Sequence, residues 1–377
     1  MRGNKEQSTR LYYIDNLKIY LTILVILHHN AIAYSGSGPW SILDPGADEI
    51  SFLLFTIFTT VNQAYFMGAF FLLAGYFTPR SLEKKGAKAF LIDRLIRLGI
   101  PILVYTTIIV NINGFILDSF VYSAPFRIRI GFNVGHLWFL QALLILSLIY
   151  VVWKAVSGRT AAKSPSWTYR GKFPPDVVLL VSVILLGMVT FGVRLIFPVG
   201  DWHLGIQPGH FAQYIFSFFV GILAYQGDWF DQLSRAQARR WGYAVIFMFM
   251  ILFPMIVFGG VLEGGENLAK FEGGPYWQAL AYSLWESAML VGMVVFLISF
   301  FRERVNKASK LTQFLAPNAY TVYIIHQTGL YILQAVGLRI DQPAILKFII
   351  VSLIAIPLCF FLSDLIPRIP YAKRVLG

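Results

Sequence analysis

The sequence predicts an all-α integral membrane protein, a polytopic bundle of about ten transmembrane helices with both termini cytoplasmic. Three observations lead there. Of the 377 residues, 57% are hydrophobic and only 13% charged, with a mean hydropathy of +0.65; a soluble globular chain has roughly 45–50% apolar and about 25% charged residues. That shortage of charge excludes a soluble enzyme. Apolar runs of the roughly 20 residues needed to cross hydrocarbon recur from end to end, with no polar block long enough to fold alone, so 1–377 reads as a single domain. The polar segments between runs alternate between strongly basic and mostly acidic, as cytoplasmic and outer loops do.

Each span is bounded by that alternation. The first, 14–33, follows Arg2, Lys5 and Arg10 and precedes Asp44, Asp48 and Glu49. The second, 50–77, returns the chain to Arg80, Lys84, Lys85, Lys88, Arg94 and Arg97; the third, 97–117, leads out to Asp118, Arg127 and Arg129. Span 135–153 comes back to Lys154, Arg159, Lys163, Arg170 and Lys172, and 176–197 leaves toward Asp201. Span 209–226 ends before Arg235, Arg239 and Arg240, and 241–260 before Glu263, Glu266, Lys270 and Glu272. Span 277–301 meets Arg302, Arg304, Lys307 and Lys310; 314–337 meets Arg339 and Asp341; 343–366 meets Arg368, Lys373 and Arg374. An odd count would put these blocks on the wrong sides. The N-terminus also has the layout of a signal peptide, with Ala31-Ile32-Ala33 as a cleavage site, but the polar His28-His29-Asn30 interrupts it and favours a retained span.

The net charge of +12 and pI near 9.7 follow from this sidedness rather than from nucleic-acid binding. The single cysteine, Cys359, has no internal disulfide partner. GxxxxGK[ST], GxGxxG, HExxH and CxxC are all missing from the sequence, which removes the usual soluble cofactor and metal signatures. There is no internal repeat, which weakly disfavours the repeat-built transporters.

Ionisable residues inside spans are costly and are the default functional candidates. Asp15, Lys18, Thr22, Val25 and His29 share one helical face. Lys18 and His29, eleven apart, are separated by about 16.5 Å of helix rise and lie within about 20° of one line. Alone, Lys18 would snorkel to headgroups; the stripe as a whole points to function. His28, His29, His136, His203 and His210 fall near outer span ends or in outer loops, where an imidazole suits general-base work. Only His203 and His210 have a spacing reminiscent of ligands, and no metal is expected. Arg194 and Glu286 are further intramembrane charges, read either as an ion pair joining two helices or as groups orienting a substrate. Arg94 and Arg97, three apart, face one way; on spacing alone they read as headgroup contacts.

The ordered motifs carry more. Tyr13-Ile14-Asp15-Asn16-Leu17-Lys18 followed by His29, Phe70 to Tyr76, Arg94-Leu95-Ile96-Arg97, Gly135 to Leu140 and Tyr320 to His326 together resemble the membrane-bound acyltransferase-3 family, which includes glucan biosynthesis protein C and polysaccharide O-acetyltransferases. The resemblance covers nearly the whole chain. It implies a membrane-embedded acyltransferase with His29 as catalytic base and Arg94 with Arg97 binding the acyl-coenzyme A donor, expected to be acetyl-coenzyme A. Lys18 stands where the family usually has arginine, which loses the bidentate fork, and Ala74 where serine is common. With Lys18, His29 and Glu286 as the catalytic set, Arg194, His136 and Trp138 are the expected substrate contacts. Acyl transfer to a hydroxyl of a carbohydrate or lipid-linked glycan at the extracytoplasmic face of the plasma membrane follows from the resemblance. The bilayer is the expected partner and nucleic acid is not. Trp40, Trp202, Tyr276 and Trp277 are available to stack on sugar rings. The rival reading is a proton-coupled transporter or flippase of a lipid or sugar using the same charges.

Overall fold

A computed structural model describes residues 11–157, 171–261 and 265–376; Arg2, Lys5, Arg10, Arg159, Lys163, Arg170 and Glu263 of the charge blocks lie outside the described residues. Every expected span is a helix: α1 (Tyr12–Ser35), α2 (Glu49–Lys85), α3 (Ala87–Val121), α4 (Gly135–Val156), α5 (Asp176–Arg194), α6 (Pro208–Gln226), α7 (Arg235–Phe258), α9 (Trp277–Arg304), α10 (Lys310–Gly337) and α11 (Ala344–Leu365), with a short α8 (Gly265–Glu272) before α9. No strand is found among the described residues.

Eight of these helices are long and apolar enough to cross a membrane by length and composition, among the described residues. The expected ten therefore exceeds the number that apolarity alone supports. The two others, α6 and α10, are of spanning length but carry buried polar side chains that dilute the apolar run: His210, Gln213 and Ser217 in α6, and Asn318, Thr321, His326, Gln327 and Gln334 in α10. Those polar groups face protein rather than lipid. α2, with 37 residues, is about 55 Å long and outreaches a bilayer core.

α1 is packed by α2, α9, α10 and α11. Glycines set the closest approach between α2 and α6. A Cβ on Gly75 would lie 2.0 Å from the Phe218 carbonyl oxygen, and one on Gly221 2.1 Å from the Leu72 carbonyl oxygen, the small-residue contact that lets membrane helices meet backbone to backbone. Gly75 of the Phe70 to Tyr76 motif is thus a packing residue.

The long-range contacts sort the helix ends into two groups. At one end, Asn16 Nδ2 donates to the Val305 (2.5 Å) and Lys307 (3.2 Å) carbonyls, Arg302 donates to the Phe230 and Leu233 carbonyls, and Arg240 pairs with Asp176 at 2.6 Å. This is the basic end. At the other, Asp44 and Lys347 form a buried ion pair at 2.6 Å and Arg129 grips Asp118 at 2.8 Å.

α3 departs from a regular helix. Three π-helical turns, Leu95–Gly99, Tyr105–Ile109 and Leu117–Val121, interrupt it, a widening often found at functional sites. Pro101 has no N–H for the carbonyl four residues back, that of Arg97, and the Tyr320 hydroxyl donates to that carbonyl instead. The paired-arginine and Tyr320 to His326 motifs are joined there.

Candidate active site

At the end opposite the basic residues lies a cavity of about 1220 Å³, with His29, Trp40, His136, Trp138, His210 and Tyr214 in its wall. α1 brings His29 to it about two turns before the C-cap Gly36, whose φ of 71° reverses the chain. The following loop folds back and lays Trp40 flat on His29, ring centroids 4.4 Å apart and 17° from parallel. Trp40 is held there by its Nε1, which donates to Gln334 Oε1 at 2.8 Å, and Gln334 Nε2 in turn donates to Asn30 Oδ1 at 3.1 Å. The neighbour of His29 on α1 therefore fixes the ring that covers it.

Behind His29 stand two further imidazoles. His326 stacks on it with centroids 5.3 Å apart, and His136 meets His326 edge-on at 4.7 Å. His136 is locked: Nδ1 lies 2.8 Å from Gln327 Oε1 and Nε2 3.0 Å from the Ile324 carbonyl oxygen, while the Tyr323 hydroxyl donates to the His136 carbonyl. Gln327 also accepts from the Tyr105 hydroxyl at 2.6 Å and donates to the Tyr331 hydroxyl at 3.0 Å. Gly135 makes room for this arrangement. Its φ is +47°, and a Cβ there would lie 2.1 Å from the Tyr105 hydroxyl oxygen. His29 differs from His136, since among the described residues its buried Nδ1 makes no hydrogen bond. The same is true of His28 Nδ1 and His326 Nε2, so of these imidazoles His136 is the one held at both nitrogens.

The two other charges sit behind the opposite wall. Arg194 and Glu286 are fully buried and paired at 2.6 Å, with Arg194 also donating to the Gly209 carbonyl at 3.1 Å and Ser283 Oγ at 3.2 Å. Neither lines the cavity; His210, 3.3 Å from Glu286 Oε1, does. Glu286, expected among the catalytic residues, and Arg194, expected as a substrate contact, thus stand behind the wall and meet the cavity through His210 and through Tyr282, whose ring lies 5.0 Å from the Arg194 guanidinium. At the cavity rim α8 ends in Glu272, whose carboxyl pKa is raised by burial.

The basic end holds the rest of the expected set. Lys18 lies with its Nζ 4.4 Å from the centre of the Phe77 ring and 3.9 Å from Asp15, off the cavity. Arg94 packs over the Phe90 ring at 4.9 Å with Nε buried and unbonded among the described residues. Arg97, in the first π turn, lies 3.5 Å from Asp93, which also pairs with Lys85 at 2.8 Å. The Lys18 to His29 stripe is real on α1, but its two ends serve different regions. Among the described residues no group of three or more His, Cys, Asp or Glu side chains is arranged to hold a metal ion.

Three residues around this cavity lay outside the expected set: His326, Gln327 and Tyr105. His326-Gln327 in mid-span was the available signal. Tyr105 had none.

Comparison with known proteins follows the same lines. A family model described as an acyltransferase domain matches residues 11–364. Among curated proteins, "Glucans biosynthesis protein C" of Salmonella paratyphi A is 24% identical over 227 residues, covering 56% of this chain and 54% of the relative. The protein of the same name from Escherichia coli K12 is 26% identical over 159 residues, 39% of this chain and 40% of the relative. The chain thus spans about half the length of the first of these relatives and less of the second. No solved structure matches it significantly.

Proposed function

Because the chain belongs to the acyltransferase family whose model covers residues 11–364, we propose that it moves an acyl group, acetyl in the first instance, from acyl-coenzyme A to a hydroxyl of a carbohydrate or lipid-linked glycan. Family membership favours this over the transporter reading. The names of the relatives support a glucan as acceptor. In this reading all ten long helices span the plasma membrane, the basic end and both termini face the cytoplasm, and the cavity faces out.

The observation that carries the proposal is the unlocked His29, set in the wall of a cavity at the end opposite Arg94 and Arg97. Arg94 and Arg97 take the phosphates of the donor; the buried Nε of Arg94, unbonded among the described residues, supports an anion there. The arm of the coenzyme then bridges the roughly 16.5 Å of helix rise between Lys18 and His29. At the cavity His29 takes the proton from the acceptor hydroxyl as its oxygen attacks the thioester carbonyl. The carbon–sulfur bond breaks, the ester forms, and the departing coenzyme A thiolate recovers the proton from the imidazolium. Trp40, stacked on His29, holds the ring in place through that cycle.

The experiment uses membranes containing the wild type, His29→Ala, or Arg94→Gln with Arg97→Gln, supplied with acetyl-coenzyme A labelled in its acetyl group. Label is followed into protein, lipid and glycan fractions. Label in a glycan or glycolipid with the wild type only supports the proposal. Label in none of them, from correctly inserted wild-type protein, removes it.

A further inference from the structure

We propose that His210 is the acceptor-holding residue of the cavity, hydrogen-bonding a ring hydroxyl of a sugar other than the one that His29 deprotonates, and that Glu286 and Arg194 are positioning residues that set its tautomer. This rests on the acyl-transfer reading above and adds to it how the acceptor is held.

The arrangement is built from α5, α6 and α9. Pro208 starts α6 with φ already fixed for a helix, and the next residue has no room for a side chain: a Cβ on Gly209 would lie 2.9 Å from the Phe197 carbonyl oxygen. That close approach delivers the Gly209 carbonyl to Arg194 Nε at 3.1 Å and puts His210 against the Arg194–Glu286 pair. His210 Nδ1 lies 3.3 Å from Glu286 Oε1 and 3.3 Å from Arg194 Nη2. The nitrogen turned inward is therefore Nδ1, which leaves Nε2 for the cavity that the ring lines.

Each of those two contacts demands a different ring. A guanidinium only donates, so the Arg194 contact needs a bare Nδ1 and puts the proton on Nε2; the Glu286 contact needs Nδ1–H and leaves Nε2 as an acceptor. Among the described residues no hydrogen bond is otherwise made to the buried Glu286 Oε1, so the second ring form, with Nδ1–H 3.3 Å away, supplies its donor. Held in that form, His210 turns an accepting Nε2 to the cavity. A hydroxyl is the ligand group that donates to it.

The neighbouring wall suits a sugar ring. His210 stacks on Tyr214 with centroids 6.1 Å apart, and Tyr214 on Trp138 at 5.3 Å, all three lining the cavity. Trp138 is half-buried and offers its open side to the cavity, while Gln63, which donates to the Tyr214 hydroxyl at 3.0 Å, adds an amide at the same wall. Flat rings flanked by hydrogen-bonding groups match the apolar face and hydroxyl rim of a pyranose.

The test uses full-length protein in lipid nanodiscs, with methyl β-D-glucopyranoside and its monodeoxy analogues as acceptors and labelled acetyl-coenzyme A as donor. His210→Phe is expected to raise KM for the glucoside about tenfold, the loss of one hydrogen bond, with KM for acetyl-coenzyme A within twofold of wild type. One monodeoxy analogue should show the same penalty on the wild type and no further penalty on the variant. Glu286→Gln, which keeps the shape of the pair but not its charge, should shift acceptor KM in the same direction. Saturation-transfer NMR of the glucoside on the wild type, without donor, gives a readout independent of turnover and should weaken in His210→Phe. Wild-type protein that shows no glucoside contact, or His210→Phe with unchanged acceptor KM, overturns the proposal for His210 alone. Wild-type protein that transfers acetyl to nothing removes the acyl-transfer reading instead.

Discussion

Replacing Glu286 by Gln tests the electrostatics of the bundle at its most demanding point. Both partners of the Arg194–Glu286 pair are at 0% exposure, 2.6 Å apart. At an effective dielectric of about 20 their attraction is about 6 kcal/mol. Removing the carboxylate charge leaves a buried guanidinium with the Gly209 carbonyl, Ser283 Oγ, His210 and the face of Tyr282. These retained contacts offset part of the loss, and breaking such a pair typically costs about 3–5 kcal/mol. Glu286→Gln should therefore lower the unfolding free energy by about that much, read by SDS titration of protein in bicelles with tryptophan fluorescence. A double variant, Arg194→Met with Glu286→Leu, removes both charges and should recover most of the loss. The reasoning is refuted if Glu286→Gln costs under about 1 kcal/mol, or if the double variant is as unstable as the sum of its single changes.

Other consequences follow from the geometry. Gly75→Val places methyl groups where the Phe218 carbonyl already stands 2.0 Å from an added Cβ; overpacking of this kind costs about 1–3 kcal/mol, and a wild-type melting temperature would contradict the α2–α6 contact. Gln327→Leu strips partners from the Tyr105 hydroxyl and His136 Nδ1. Two buried polar groups left unpaired should cost about 2–4 kcal/mol in the same SDS titration, and no change would mean that the network adds nothing. Arg94→Gln should raise KM for acetyl-coenzyme A at least tenfold with kcat nearly unchanged, as loss of a charged hydrogen bond to donor phosphate predicts; an unchanged KM would place the donor elsewhere.

The helices were legible because apolar runs between charge blocks leave a chain little choice in a membrane. The exceptions are instructive. α6 and α10 looked like ordinary spans, yet they are the helices that bring His210, His326 and Gln327 inward. The same polar residues that weaken the apolar signal build the site. Motif residues were readable one at a time, but their meeting was not: Tyr320 to Arg97, Tyr323 to His136 and His326 to His29 join positions far apart in sequence. Such contacts depend on which helices become neighbours, and no local pattern encodes that. The reading of Lys18 with His29 shows the converse limit, since helical spacing gave their shared face and the roughly 16.5 Å of rise between them but not which other helices each end would meet. The π turns of α3 were likewise hidden; Gly99 and Pro101 mark one in retrospect.

The central claim is that an acyl group enters at the basic end and leaves from the His29 cavity. Sealed inside-out membrane vesicles, with the basic end turned outward, test it when labelled acetyl-coenzyme A is added to the outside only. The account predicts that label appears on a glycan or glycolipid inside the vesicles, protected from an added esterase until detergent is present, and that His29→Ala abolishes it. Label confined to molecules on the outer surface, or transfer that persists in His29→Ala, would contradict it.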